Sequence, residues 1–561
     1  MERKNQKEIY YINKAEDNRL YNNKIPYFTV SIVIVFLIIQ TQKILWPNHF
    51  GTDSSFMLNM FLSMSEGKLA MPIMDGWLRL SEYSFLHGIM NAIIHTGTLK
   101  MLGTENWYWA TKLPMLFIIC GLNMFLYIFG KRYLPPLSLF ILILLVCFDA
   151  TVINYSTSLR SDICLMTFYS ISALSLYGYF KENNKKYLFG SGIAAGFTML
   201  TFMQGIPILP SAVVCLLVAN DNFKKAILES ALFISTVLAV MSPYLIWIFV
   251  DETRTEIFIL QHNFASHHDD PLLIAIGKAL CVPFSSMWGN GRSFTSLFVI
   301  ASILFSLANI REKEGRFWLS LLFIGTLMLC TAHSVNCRRI MMLTPLACFC
   351  LLLAWETNSR LLCKCLIISA TGILFAYIIG KHLFPLLRWN WVILSLGIFP
   401  LLYIICQLIN KAIQGSFMIQ NGMRIVFIGL IFVSIVLQIL PIFNTRGYTV
   451  FSRSGIELIS TKFMEKFNGE KLTIIARSNL FPLFPENVSV RAQSLLTYHN
   501  YYNYFESYEY MTKSINADYI LLTNNDVIKR EPAGSYIKNN FVLIDIIDCK
   551  PYSTYYLYKK I

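Results

Sequence analysis

Charge is scarce in this sequence. Only 14% of its 561 residues are Asp, Glu, Lys or Arg, and 55% are hydrophobic, whereas a soluble globular chain is about a quarter charged. A soluble fold of this length is excluded, because no soluble core needs so many apolar side chains. Acids are the scarcer sign, 33 against 47 Lys and Arg. The polar stretch Met1–Lys24 lacks an apolar h-region, so a cleavable signal peptide is not expected and the first span must direct insertion itself. No glycine-rich nucleotide motif occurs, and no internal repeat suggests a transporter built of duplicated halves.

Two compositional features look informative and are not. The net charge of +14 invites a nucleic-acid reading, but the Lys and Arg cluster in short loops between apolar runs, as the positive-inside rule expects. The thirteen cysteines resemble a disulfide framework only by number. Cys120, Cys147, Cys164, Cys215, Cys348, Cys350 and Cys406 lie inside apolar runs, where a thiol behaves as a small hydrophobe. Cys363 and Cys365 lack a second pair of zinc ligands.

Apolar runs of roughly 17–25 residues are what the chain has in abundance, each long enough to cross a hydrocarbon core of about 30 Å. About 13 spans are predicted, near 27–45, 107–129, 134–153, 161–180, 187–203, 206–219, 226–250, 292–310, 316–333, 339–355, 361–380, 389–409 and 424–443. Basic residues fill every second loop: the N-terminal tail, Lys131-Arg132, Lys181 to Lys186, Lys224-Lys225, Arg311 to Arg316, Arg360 and Lys411. This alternation predicts a cytoplasmic basic tail (1–26), a membrane domain (27–444) with long exoplasmic loops at 46–106 and 251–291, and an exoplasmic α/β domain (445–561). In that last domain Leu472–Ala476, Asp518–Leu522, Phe541–Ile547 and Thr554–Tyr558 read as strands and 455–467 as a helix. Loop 46–106 holds two amphipathic helix candidates, 54–66 and 83–101, expected at the membrane interface. Trp46, Trp107, Trp109 and Trp288 read as belt anchors.

Chemistry gathers on the predicted far side. Asp53, just after the first span, reads either as a general base or metal ligand or as the N-cap of the helix that follows. Arg160 and Asp162 stand two apart at the turn between the third and fourth spans, where charges beside apolar runs are costly unless paired or solvated. Arg338 and Arg339 break the positive-inside rule. Guanidinium groups bind phosphate oxygens in a two-pronged geometry, so a phosphate would explain them; snorkelling to lipid headgroups is the other reading. Loop 251–291 brings His262, the run His267-His268-Asp269-Asp270, and Lys278. These could line an anion or metal site or form an ordinary polar loop.

In their order and sidedness these residues match a family. Gly51-Thr-Asp-Ser-Ser-Phe with Asp75 downstream, then Leu159-Arg-Ser-Asp162, then Gly190 to Gln204 leading to Pro207 and Pro210, and finally Arg338 to Pro345 span about residues 25–350. The pattern resembles the GT-C superfamily of polyprenyl-phosphate-sugar-dependent glycosyltransferases, in particular the bacterial relatives of protein O-mannosyltransferase and lipid A aminoarabinose transferase. The resemblance implies a polytopic α-helical GT-C-like fold with a small C-terminal soluble α/β domain, in a bacterial plasma membrane. It implies an inverting hexosyl- or pentosyltransferase that uses a polyprenyl-phosphate sugar as donor. The acceptor would be a glycan, lipid or protein, and neither nucleic acid nor a soluble cofactor is involved. Asp53 and Asp162 would be the catalytic acids, and would hold a divalent metal if one is used. Arg338, Arg339 and Arg160 would bind the donor phosphate, and Asp75, His262 and Lys278 would line the donor or acceptor pocket. The chain departs from the family at Ser54, where many relatives have a second acid, and at Gln204, where many have Lys.

Rival readings are a transporter or flippase of a lipid-linked glycan and a surface-polysaccharide polymerase or ligase. The first would place charges along a path through the spans, and these spans are nearly charge-free. The second would more often carry its long loop late in the chain, not after the first span.

Overall fold

In the computed structural model, and apart from short breaks, the structure describes residues 89–149, 161–259, 295–331, 340–383, 453–492, 517–522 and 533–561, with Phe61 and Val152. The expected spans 27–45, 389–409 and 424–443 lie outside the described residues, as do the helix candidate 54–66, except Phe61, and most of loop 251–291.

Among the described residues of the membrane-domain part there are ten α-helices: α1 (Ile89–Leu102), α2 (Trp107–Gly130), α3 (Pro136–Phe148), α4 (Asp162–Glu182), α5 (Lys185–Thr201), α6 (Ile208–Ala219), α7 (Phe223–Phe249), α8 (Thr295–Ala308), α9 (Lys313–Thr331) and α10 (Thr344–Leu383). Among the described residues four helices are long and apolar enough to cross a membrane, at Lys112–Gly130, Asp162–Glu182, Phe223–Phe249 and Met341–Ile373, and three shorter apolar helices accompany them. The helices α2 to α10 enclose one continuous core, from Met115 and Leu126 of α2 through Tyr169 and Tyr177 of α4 to Phe349 of α10. The expected spans 339–355 and 361–380 are one assignment broken by non-helical backbone at Asn358. Asn358 restarts the helix as its own cap, its side chain accepting the Leu361 N–H at 3.1 Å.

Apolar burial is weak glue where lipid is the alternative, so the helices are joined by close approach and by polar contacts. Ser172 of α4 and Ser191 of α5 each donate to the other's backbone carbonyl, at 2.9 and 2.8 Å. On the other side of α5, Gly192 and Gly196 let α7 in: a Cβ at Gly196 would stand 2.6 Å from Cβ of Val240. The turn from α4 to α5 is two asparagines. Asn183 takes the left-handed conformation (φ 51) and its N–H caps Tyr179, and Asn184 accepts the Lys186 N–H.

Acids gather where the basic loops lie. Tyr133 donates to Glu182 at 2.6 Å, Tyr177 to Glu314 at 2.5 Å and Ser138 to Glu356 at 2.6 Å. Lys181 pairs with Glu314 at 2.7 Å, and Lys225 with Glu229 at 3.5 Å. These contacts bring the end of α2, the start of α3, the α4–α5 turn, the starts of α7 and α9 and the Asn358 break to one end of the bundle, the basic end.

Helix α1 covers most of the helix candidate 83–101. Its buried side carries Asn91, His95 and Thr96, while Ile93 and Met101 are exposed. It packs on α2 and α5, and its buried side is mixed, with Ala92 and Leu99 beside Asn91, His95 and Thr96 and with Lys100 among the exposed residues.

The C-terminal part forms a sheet with a helix on each face: α11 (Arg453–Phe467), β1 (Leu472–Ala476), β2 (Val488–Ala492), β3 (Tyr519–Leu522), α12 (Ala533–Asn540), β4 (Phe541–Cys549) and β5 (Ser553–Lys560). The strand order is β2-β1-β3-β5-β4, with β1 parallel to β2 and β3 and the rest antiparallel. Side chains alternate between faces with the strand's period of two. Ile474, Ala476, Leu521, Tyr555 and Leu557 pack under Ile459 and Phe463 of α11. Ile475, Ile520, Leu522 and Tyr558 pack under Tyr536 and Ile537 of α12. Gly469 (φ 110) turns the chain from α11 into β1, and Lys466 of α11 forms an ion pair with Asp545 of β4.

Candidate functional site

The up-and-down path of the helices puts the end of α3, the start of α4, the end of α7 and the starts of α8 and α10 at the end opposite the basic one. Asp162 is the first residue of α4 and buried, and Ser161 before it offers no side-chain cap. A carboxylate in the first turn gains from the partial positive charge of the helix N-terminus. Asp162 is the one described residue of the predicted site. Asp53, Asp75, Arg160, His262, Lys278, Arg338 and Arg339 lie outside the described residues. Two of them are bonded directly to described, buried neighbours: Arg160 to Ser161 and Arg339 to Ile340.

Sequence reasoning missed Asp149, which caps the C-terminal end of α3 and is buried. Its Oδ1 accepts the Val152 N–H at 3.2 Å and its Oδ2 accepts the Thr295 hydroxyl at 3.2 Å. The Thr295 and Thr344 hydroxyls are 2.7 Å apart. Since the Thr295 proton goes to Asp149, Thr344 must donate to Thr295. One carboxylate therefore joins the end of α3 to the starts of α8 and α10. The signal was a lone acid at the close of an apolar run, which reads equally well as an ordinary helix end.

Arg254 was also missed, because it falls outside the motif order. It follows α7, stands 4.7 Å over the Trp247 ring and pairs with Asp251 at 3.3 Å. Its side chain is about one-sixth exposed, at 17%. Held by a cation–π contact and a carboxylate, it is an oriented guanidinium at the same end as Asp162.

Lys112 and His95 form a second buried polar group. Lys112 lies in the second turn of α2 and His95 on α1, and both are buried. The His95 ring stacks on Phe61, with centroids 4.6 Å apart and planes 14° off parallel, and Thr96 donates to the Phe61 carbonyl at 3.4 Å. A lysine inside an apolar run is the signal that could have found this group. Among the described residues, no three His, Cys, Asp or Glu side chains converge as a metal site would require. Of the two acids expected to hold a divalent ion, Asp162 is the described one.

With this geometry in hand, the likenesses to known proteins are specific to its fold. Residues 87–247, from the approach to α1 to near the end of α7, match the family model "dolichyl-phosphate-mannose-protein mannosyltransferase". The structure is similar to that of ArnT from Cupriavidus metallidurans bound to undecaprenyl phosphate, with a TM-score of 0.52 and 12% identity, covering 94% of this chain and 97% of that one. It also matches the archaeal oligosaccharyltransferase AglB from Archaeoglobus fulgidus in complex with an inhibitory peptide and a dolichol-phosphate, with a TM-score of 0.49 and 11% identity, over 89% of this chain and 70% of that one. No curated protein matches the sequence. The chain is a membrane protein with the GT-C fold, and its residues 87–247 carry the pattern of the dolichyl-phosphate-mannose-protein mannosyltransferase family.

Proposed function

We propose that this protein is an inverting glycosyltransferase that moves a sugar from a polyprenyl phosphate to a glycan, lipid or protein acceptor at the exoplasmic membrane face. One observation carries the reading. The bundle end that holds buried Asp162 also gathers the starts of α4, α8 and α10, and these lie directly downstream of Arg160, Arg292 and Arg338-Arg339 in the sequence. A buried acid at this end, arginines next to these helix starts in the sequence, and spans with few charges suit a lipid phosphate held at the membrane surface with its tail among the helices. The undecaprenyl phosphate in the structurally similar ArnT agrees with this chemistry.

In the proposed reaction Asp53 takes the proton of the acceptor hydroxyl or amine. The acceptor attacks the anomeric carbon as the bond from that carbon to the phosphate oxygen breaks. Arg338, Arg339 and Arg160 stabilise the charge left on the polyprenyl phosphate, and a single displacement inverts the anomeric centre. Asp162 is the second acid and, with Asp53, would hold a divalent ion if the reaction uses one. Asp75, His262 and Lys278 line the donor or acceptor pocket.

The test is purified full-length protein incubated with a panel of polyprenyl-phosphate sugars and assayed for release of polyprenyl phosphate. Wild type should turn over at least one donor, and Asp53→Asn should lose about two orders of magnitude or more. Unchanged turnover in the variant removes Asp53 as the base. No turnover with any donor favours the flippase reading.

A further inference from the structure

Strand β4 closes one edge of the C-terminal sheet. Its sequence, Phe-Val-Leu-Ile-Asp-Ile-Ile-Asp-Cys, is apolar enough for a strand covered on both faces. Yet Val542, Leu543, Ile544 and Ile546 are each 44% to 51% exposed. Register and the strand's period of two spread them around the edge. Leu543 pairs with Tyr558 and Ile546 with Tyr556, on the α12 side. Val542 pairs with Lys559 on the α11 side, and Ile544 is the extra residue of a bulge between Leu543 and Asp545. Helices α11 and α12 thus cover the two faces and leave these four side chains exposed.

The charges around this edge are unevenly engaged. Asp545 is in an ion pair with Lys466 of α11, and Asp548 pairs with Lys550 at 3.0 Å. Asp518, beyond β5, accepts the Thr473 N–H at 2.7 Å. Lys538 near the end of α12 and Lys559 and Lys560 at the end of β5 are exposed. Lys559 stands opposite Val542 and Lys560 opposite Phe541. The first half of β4 is therefore an apolar edge with cations on its rim. Lysine stems lie along such a surface while their ammonium groups reach outward.

A further strand fits this edge poorly, because the bulge bends β4 and interrupts the ladder that a partner would extend. An anionic lipid surface fits it well: the apolar side chains enter the acyl boundary and the ammonium groups meet headgroup phosphates. The bilayer is also within reach. Helix α11 begins at Arg453, ten residues after the last expected span ends at 443, a distance of no more than about 35 Å even when fully extended. Tethering of this kind makes docking an intramolecular event at high effective concentration.

We propose that the first half of β4, with Lys538, Lys559 and Lys560, is a docking edge for anionic phospholipid that lays the sheet domain on the bilayer surface. The inference needs the membrane tether and is independent of the glycosyl-transfer reading.

The experiment places a photoreactive benzophenone side chain at position 544 of the full-length protein in liposomes and identifies the adducts by mass. In vesicles of phosphatidylcholine and phosphatidylglycerol in equal parts, phospholipid should be the main adduct. The lipid yield should fall by about fivefold or more in phosphatidylcholine alone, and equally in mixed vesicles when Lys559→Glu and Lys560→Glu are combined. Lys559→Arg with Lys560→Arg should keep the yield, since the charge is kept. Both lysines are exposed, so these changes leave the two cores of the domain intact. A main adduct to a second copy would overturn the inference in favour of strand pairing. A main adduct within the same chain would overturn it in favour of a lid of protein over the edge. A lipid yield indifferent to phosphatidylglycerol and to the lysines would remove the headgroup recognition.

Discussion

At position 95 an imidazole sits where water does not reach. Burial is the main reason its pKa falls from 6.5 to about 3; the Ala110 backbone opposes the fall, and the nearby Lys112 charge adds a smaller lowering. The folded protein thus holds His95 neutral at pH values where the unfolded chain protonates it. Its contribution is fully present above pH 6.5, and is lost as pH falls from 6.5 toward 3, at about 1.4 kcal/mol per pH unit. Thermal melting should therefore shift down between pH 7 and pH 5, and His95→Phe, which keeps a ring on Phe61, should flatten that slope. An equal acid slope in the variant would place the sensitivity elsewhere. Single residues were unevenly legible in the sequence. Asp162 was visible because an Arg stands two residues before it, whereas Asp149 and Lys112 became meaningful only when the fold showed them buried.

Elements obey their patterns more faithfully than residues do. Runs such as Pro136–Phe148 and Thr295–Ala308 are apolar throughout, and each became a helix within a few residues of its expected bounds. The stretches Leu472–Ala476 and Phe541–Ile547, read as strands, became β1 and, two residues longer, β4. Strand β2, not among the expected strands, follows a turn-rich Pro485-Glu-Asn stretch, and α12 is short and polar, so neither carries a periodic signal long enough to stand out. Small residues carry the α5–α7 contact, and here a substitution has a definite expected result. Gly196→Leu must displace Val240, whose Cβ would be 2.6 Å from the new Cβ, and should cost about 1–3 kcal/mol or more. A lowered melting temperature in detergent is the expected reading, and an unchanged one would mean α7 can move away freely.

For the whole molecule, the sidedness read from the basic loops leads us to propose that the sheet domain and the Asp149 end share one compartment and the N-terminal tail has the other. Protease added to right-side-out vesicles should remove residues 445–561 and leave the N-terminal tail intact, with the reverse in inverted vesicles. Cleavage of both ends from one side would break the odd span count. The acids at the basic end bear on how firmly this arrangement holds. Glu182, Glu229, Glu314 and Glu356 are each engaged by a tyrosine, serine, asparagine or lysine of a neighbouring segment. Their negative charge is spent within the protein, which leaves the surplus lysines and arginines of that end to feel the electric field across the membrane. Each such cation is held on the negative side by about 2.3 kcal/mol per 100 mV. In the orientation proposed from the basic loops, an energised membrane works as a continuous restraint on this bundle, pinning its basic end and keeping the Asp162 end turned outward.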